Sequence, residues 1–266
     1  MLKDKKFFIF DMDGTIYLGE SPLPNAVNFI EQIKKDKRLI FFTNNASKNP
    51  AYYLEKLKNL GFPEDIQVLT SGDVLIKFLK NHRQNKKIYL LGTPYLENMF
   101  IQENITLTDL DNPDIVVTSF DTTLTYDKLE RACTFIRNGA EWLTTHPDIN
   151  CPVENNGCVG YIPDCGAINA LISVSTGEPL PKAFGKPYGE VIDMIEEIYG
   201  EKRENMAMFG DRLYTDIALG KKNGVTAVLL LTGEGTLEDV RELPEDLKPD
   251  YIFKDLFECG RYFGFN

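Results

Sequence analysis

Phe7-Phe8-Ile9-Phe10-Asp11-Met12-Asp13-Gly14-Thr15 opens with four apolar, β-favouring residues and closes on two acids and a glycine. A short run of that kind is the pattern of a strand buried on both faces. Asp11 and Asp13 then emerge two residues apart, close enough to act on one centre, and Gly14 lets the chain turn tightly. Paired acids at a strand end can hold a hard cation, or divide the roles of nucleophile and general acid. Asp and Gly are also common turn residues, so the pair alone leaves both readings open.

Outward from this stretch, apolar runs alternate with amphipathic helical stretches, which predicts an α/β fold with a parallel sheet. The pattern predicts a helix over about 25–36, a strand over 39–42, a helix over about 48–60 ending at Gly61, and another after Ser71-Gly72-Asp73. Late in the chain come a strand at 205–209, a helix at 213–223, a strand at 225–231 and a short apolar stretch at 250–253. The middle has α/β units of its own: strands at 88–91, 115–118 and 142–145, and helices near 95–103, 126–138 and 166–176. Thr176-Gly177-Glu178-Pro179 and Pro181 read as a return linker. The organisation expected is a core domain, residues 1–80 plus 181–266, interrupted by an inserted domain at 81–180.

The 266 residues suffice for a sizeable core. A net charge of −11 argues against a nucleic-acid partner, which requires concentrated positive charge. No apolar run approaches the ~20 residues of a membrane span. The N-terminus enters the first strand at once, so no signal peptide is expected. Five cysteines are an odd count for a disulfide framework, and a cytoplasmic setting is the simpler expectation. Cys151, Cys158 and Cys165 lie near His146 but lack the paired C-x2-4-C spacing of zinc sites.

Four polar sites follow the apolar strands or the return linker. They are Asp11 and Asp13; Thr43-Asn44-Asn45; Lys186 in Phe184-Gly185-Lys186-Pro187; and Asp211 and Asp216 in Gly210-Asp211-Arg212-Leu213-Tyr214-Thr215-Asp216. Singly, each has a plain alternative as a helix cap, solvated charge or turn acid. In open α/β sheets ligands bind beyond the carboxyl ends of strands, so the four can converge. Together they suit phosphoryl transfer. A phosphate monoester dianion repels an attacking carboxylate, so positive charge is needed, and Lys186 supplies one. A divalent cation held by Asp11, Asp13 and Asp211 would supply two more, and hard oxygen ligands favour Mg²⁺. Thr43 and the N–H groups around Thr43 to Asn45 could donate to phosphoryl oxygens.

These motifs, in this order, resemble those of the haloacid-dehalogenase-like phosphatases, and within them the NagD-like branch. The resemblance spans almost the whole chain. It implies a Rossmann-like parallel-sheet core with an inserted α/β cap domain, Mg²⁺ dependence, and a small phosphorylated metabolite as substrate. It also implies roles: Asp11 as the nucleophile that forms an aspartyl-phosphate, and Asp13 as the acid that protonates the leaving oxygen and then serves as base. Thr43, Asn44, Asn45 and Lys186 would hold the phosphoryl group. Asp11, the carbonyl of Asp13, and Asp211 would hold the metal, with Asp216 behind them. A phosphotransferase or mutase using the same intermediate is an alternative, as is a non-catalytic ligand-binding relative.

In that family the cap chooses the substrate. Loops with candidate contacts are Phe120-Asp121, Thr145-His146-Pro147-Asp148 and Pro163-Asp164-Cys165-Gly166. Gly233-Glu234-Gly235-Thr236 lacks the third glycine of a dinucleotide loop and reads as a core loop.

Overall fold

The computed structural model describes residues 1–109, 112–155 and 158–265, and the chain divides into two compact units. The first comprises residues 1–43, 50–69 and 186–266. Its sheet runs, edge to edge, Tyr251–Phe253, Thr226–Leu230, Met206–Gly210, Phe7–Phe10, Arg38–Thr43 and Gln67–Thr70. The first five of these strands pair in parallel. Numbered by chain order within the sheet, this is the doubly wound order 3-2-1-4-5-6, whose direction reverses between the first and fourth strands.

All four residues of Phe7–Phe10 and all five of Met206–Gly210 are buried, as a sheet covered on both faces requires. Aromatic rings fill one of these faces. Phe10 stacks on Phe209 with centroids 4.4 Å apart, and Phe8 lies 4.9 Å from the same ring. The helix Ala26–Ile33 buries Ala26, Phe29, Ile30 and Ile33, the i, i+3, i+4, i+7 stripe of a helix laid on a sheet.

The second unit comprises residues 44–49 and 70–185. Its four-stranded sheet has the order Lys182–Ala183, Glu141–Thr144, Ile115–Thr118, Ile88–Leu91, all parallel. Tyr89, Leu91 and Val116 from this sheet pack with Ala132, Cys133 and Ile136 of the helix Tyr126–Arg137 and with Ile168 and Ile172 of the helix Cys165–Thr176. An antiparallel ribbon, Asn150–Asn155 with Cys158–Pro163, completes the unit. The side chain of Cys158 lies outside the described residues.

The structure departs from the sequence expectations at several places. Residues 44–49, 70–80 and 181–185, expected in the core, pack with the second unit. Thr93 Oγ1 donates to Ser47 O at 2.8 Å, and Phe78 of the helix Ser71–His82 lies 4.5 Å from Phe184. The predicted return linker is followed by a two-residue strand, too short for any periodicity to show. The helix predicted at 213–223 begins with a wide π turn, Leu213–Ile217, before Ala218–Lys222. Among the described residues no helix is long and apolar enough to cross a membrane.

Candidate active site

The sheet register determines where the acids emerge. Phe10 pairs with Phe209 on one side and Phe41 on the other, so Asp11, Asp211 and Thr43 all leave the same edge. Asp11 N–H continues the ladder to Phe209 O at 2.8 Å. This is the switch point of the sheet, where neighbouring connections diverge and leave a crevice.

There, oxygens of Asp11, Asp211 and Asp216 lie within 4.8 Å of one another, all on buried side chains. The π turn closes through Ile217 N–H, which donates to Arg212 O at 3.1 Å, and Arg212 N–H in turn holds Asp216 Oδ2 at 3.0 Å. Thr15 Oγ1 stands 3.3 Å from both Asp11 Oδ2 and Asp211 Oδ1. Lys186 reaches into the cluster. Its Nζ donates to Asp11 Oδ1, lies 2.8 Å from Asp216 Oδ1, and is 3.4 Å from Phe42 O.

Burial opposes the charge on Lys186, but the Asp11 and Asp216 carboxylates outweigh it and hold the ammonium protonated well above its usual range. Burial, reinforced by the Asp11 and Asp216 charges, pushes Asp211 well up, and burial likewise raises Asp216 against the pull of Lys186. Three close carboxylates around one contacting ammonium form an electron-rich oxygen site that fits a hard divalent cation.

The surroundings keep that site open. A Cβ at Gly14, whose φ is +84°, would come 2.6 Å from Asp211 Oδ2, and one at Gly233 would come 1.8 Å from it. Glu234 N–H donates to Asp211 Oδ2 and Gly235 N–H to Asp211 O, both at 2.8 Å, while Thr232 Oγ1 donates to Gly14 O at 2.6 Å. The 233–236 loop, read from sequence as a plain core loop, is therefore the cradle of Asp211. Thr15 and this cradle are what sequence reasoning missed. Only the Gly-x-Gly spacing after a strand signals the second.

Asp13 does not join the carboxylate cluster. Its Oδ2 accepts a hydrogen bond from Tyr17 OH at 3.1 Å. Burial pushes its carboxyl up to about 6, with Lys56 opposing and Asp11 adding to the rise. A carboxyl placed there is protonated for a useful fraction of the time near neutral pH, as a general acid must be.

Asn44 and Asn45 fall in the second unit, with their side chains committed there. Asn44 Nδ2 donates to Asp148 Oδ1 at 2.9 Å, and Asn45 Oδ1 accepts from Ser47 N–H and Oγ at 3.0 and 2.7 Å. His146, a candidate substrate contact, is fully buried. Its Nε2 is 2.9 Å from Asp164 Oδ1 and its Nδ1 2.9 Å from Thr145 Oγ1. Asp164 caps the helix Cys165–Thr176, and Asp121 Oδ1 accepts from Thr123 N–H at 2.8 Å while its Oδ2 takes Lys128 at 2.7 Å. Burial pushes the Cys165 thiol up to about 12, that of an inert core residue.

Carboxylates gathered around a buried lysine at the switch point of a doubly wound sheet make a site whose chemistry suits phosphoryl transfer. Residues 8–106 match the model of the haloacid dehalogenase-like hydrolases, and residues 183–259 match that of the HAD-hydrolase-like family. An acid sugar phosphatase of Staphylococcus haemolyticus is 33% identical over 259 residues, 96% of this chain and 95% of the relative. The crystal structure of a 4-nitrophenylphosphatase from Thermotoga maritima is 44% identical, with a TM-score of 0.89 over 98% of both chains. A glycerol phosphate phosphatase from Mycobacterium tuberculosis in complex with magnesium is 27% identical, with a TM-score of 0.88 over 97% of this chain and 77% of its own. The chain belongs to the haloacid-dehalogenase-like hydrolases and is a phosphatase of the NagD-like branch.

Proposed function

We propose that this phosphatase hydrolyses a small, singly phosphorylated metabolite of the sugar-phosphate kind with Mg²⁺ bound, through an aspartyl-phosphate on Asp11. The observation that carries the reading is the Lys186 ammonium held between Asp11 and Asp216 beside Asp211. The family membership, the acid sugar phosphatase relatives and the magnesium complex of the M. tuberculosis neighbour support it.

In this reading Asp11 attacks phosphorus, and the bond to the leaving oxygen breaks with its electron pair on that oxygen. Asp13 protonates the oxygen as it departs, and its carboxylate then takes a proton from the water that cleaves the acyl phosphate. Thr43 and Lys186 hold the phosphoryl oxygens. Asp11, Asp211 and the carbonyl of Asp13 would hold Mg²⁺, with Asp216 supporting through Lys186. The ion supplies positive charge that offsets repulsion between the phosphate dianion and Asp11. The free thiols of Cys133, Cys165 and Cys259 suit a cytoplasmic enzyme.

The test is phosphate release from 4-nitrophenyl phosphate and from a panel of sugar phosphates, with Mg²⁺ and with EDTA. Release that Mg²⁺ supports and EDTA abolishes is expected, whereas release indifferent to EDTA would remove the metal from the reading.

A further inference from the structure

Tyr17 is fully buried, an unusual place for a phenol unless its hydroxyl has a partner. Its partner is Asp13. The same residue also closes the backbone turn, because Gly14 N–H donates to Tyr17 O at 2.8 Å. One residue thus serves both the turn, through its carbonyl, and the acid the turn carries, through its hydroxyl. The ring itself is braced: Lys56 Nζ, from the helix Pro50–Asn59, stands 4.3 Å from its centroid and 3.4 Å from Glu20 Oε1. A cation over the face of a phenol withdraws electron density from it and makes the O–H a stronger donor.

We propose that Tyr17, braced by Lys56, is the positioning residue of the general acid: it pins Asp13 Oδ2, fixing the carboxyl rotamer and leaving Oδ1 to carry the transferable proton. The inference rests on reading Asp13 as the acid. A carboxyl with two equivalent oxygens and a free χ2 would present its proton in several directions, and proton transfer requires one. A hydroxyl donated to Oδ2 breaks that equivalence. The proton on Oδ1 passes to the leaving oxygen as the phosphorus–oxygen bond breaks, and Oδ1 recovers a proton from water in the second half-reaction. Tyr17 gives up no proton in either.

Leaving-group dependence separates this role from a structural one. Departure of 4-nitrophenolate needs little protonation, whereas an alkoxide leaves only with it. The ratio of kcat/KM on glycerol 1-phosphate to kcat/KM on 4-nitrophenyl phosphate therefore reads the acid, because kcat/KM covers only the steps up to the aspartyl-phosphate that both esters share, and it is unaffected by the fraction of enzyme folded. Asp13→Asn is expected to lower the ratio roughly 100-fold or more, and Tyr17→Phe to lower it roughly 10-fold with KM for both esters little changed. Lys56→Met, which leaves the whole of Tyr17 in place, is expected to shift the ratio in the same direction by about 3-fold when read at about pH 5, where Asp13 keeps its proton with or without the Lys56 charge. It gives the answer if the phenylalanine variant does not fold. An equal loss on both esters in Tyr17→Phe, or an unchanged ratio there while Asp13→Asn collapses it, overturns the role of Tyr17 and leaves Asp13 as the acid. An unchanged ratio in Asp13→Asn removes Asp13 from acid duty and the proposal with it.

Discussion

Lys186 Nζ lies 2.8 Å from Asp216 Oδ1, and both side chains are buried. An ammonium is stable there only because Asp11 and Asp216 flank it, and two like-charged acids are tolerable only because it lies between them. We expect Lys186→Met to lower kcat by about 10² to 10³, the usual cost of one electrostatic donor. It should also destabilise the fold by roughly 3 to 5 kcal/mol, because removing one partner leaves buried charge uncompensated. Urea titration and steady-state kinetics at a temperature where the variant is folded would show both. Near-wild-type kcat would mean that Lys186 serves the fold alone.

Asp11→Asn should abolish turnover, because the amide cannot attack phosphorus. Acid-quenched enzyme should carry labelled phosphate in the wild type and none in the variant. Substantial residual turnover would refute covalent catalysis at that position.

Asp211→Asn separates stability from function. Replacing one of three crowded carboxylates relieves like-charge repulsion, while the amide oxygen still accepts from Glu234 N–H. In EDTA at neutral pH the variant should be more stable than wild type by about 0.5 to 2 kcal/mol, the range of function-costly stabilising substitutions. Mg²⁺ should stabilise the wild type and not the variant. Equal responses to Mg²⁺ would exclude Asp211 as a ligand.

Stability of the metal-free protein should fall as pH rises from about 4 to about 6. Asp13 titrates at about 6 when folded against 3.8 as its ordinary value, and Asp211 and Asp216 are raised as well. In that window the folded state binds more protons than the unfolded state, so each step up in pH favours unfolding. Urea midpoints in EDTA across this range, flat or rising with pH, would contradict the raised carboxyls.

The strands Phe7–Phe10, Ile88–Leu91 and Ile115–Thr118 coincide with the runs read from sequence, because strands covered on both faces advertise themselves as unbroken apolar stretches. Lys182–Ala183 and the two strands of the 150–163 ribbon did not, being too short or too irregular to show a period. The placement of α helix and π turn after Asp211 also escaped, since it depends on Ile217 N–H reaching back five residues to Arg212 O, which no pattern of hydropathy encodes.

The acids Asp11, Asp13, Asp211 and Asp216, the threonine at 43 and the lysine at 186 were legible in the linear chain, because chemistry is carried by residue type and strand ends mark where it emerges. Their separation into a cluster of three and a lone acid was not. Asp11 and Asp13 are equally spaced from any sequence viewpoint, yet Asp13 turns to Tyr17 while Asp11 turns to Lys186. His146 shows the same limit: a loop histidine looks available until packing buries it against Asp164. Sequence order names the groups that can react, but side-chain direction and burial follow from contacts between residues far apart in the chain. Those contacts exist only once the sheet has brought residues 11, 186 and 211 to one edge.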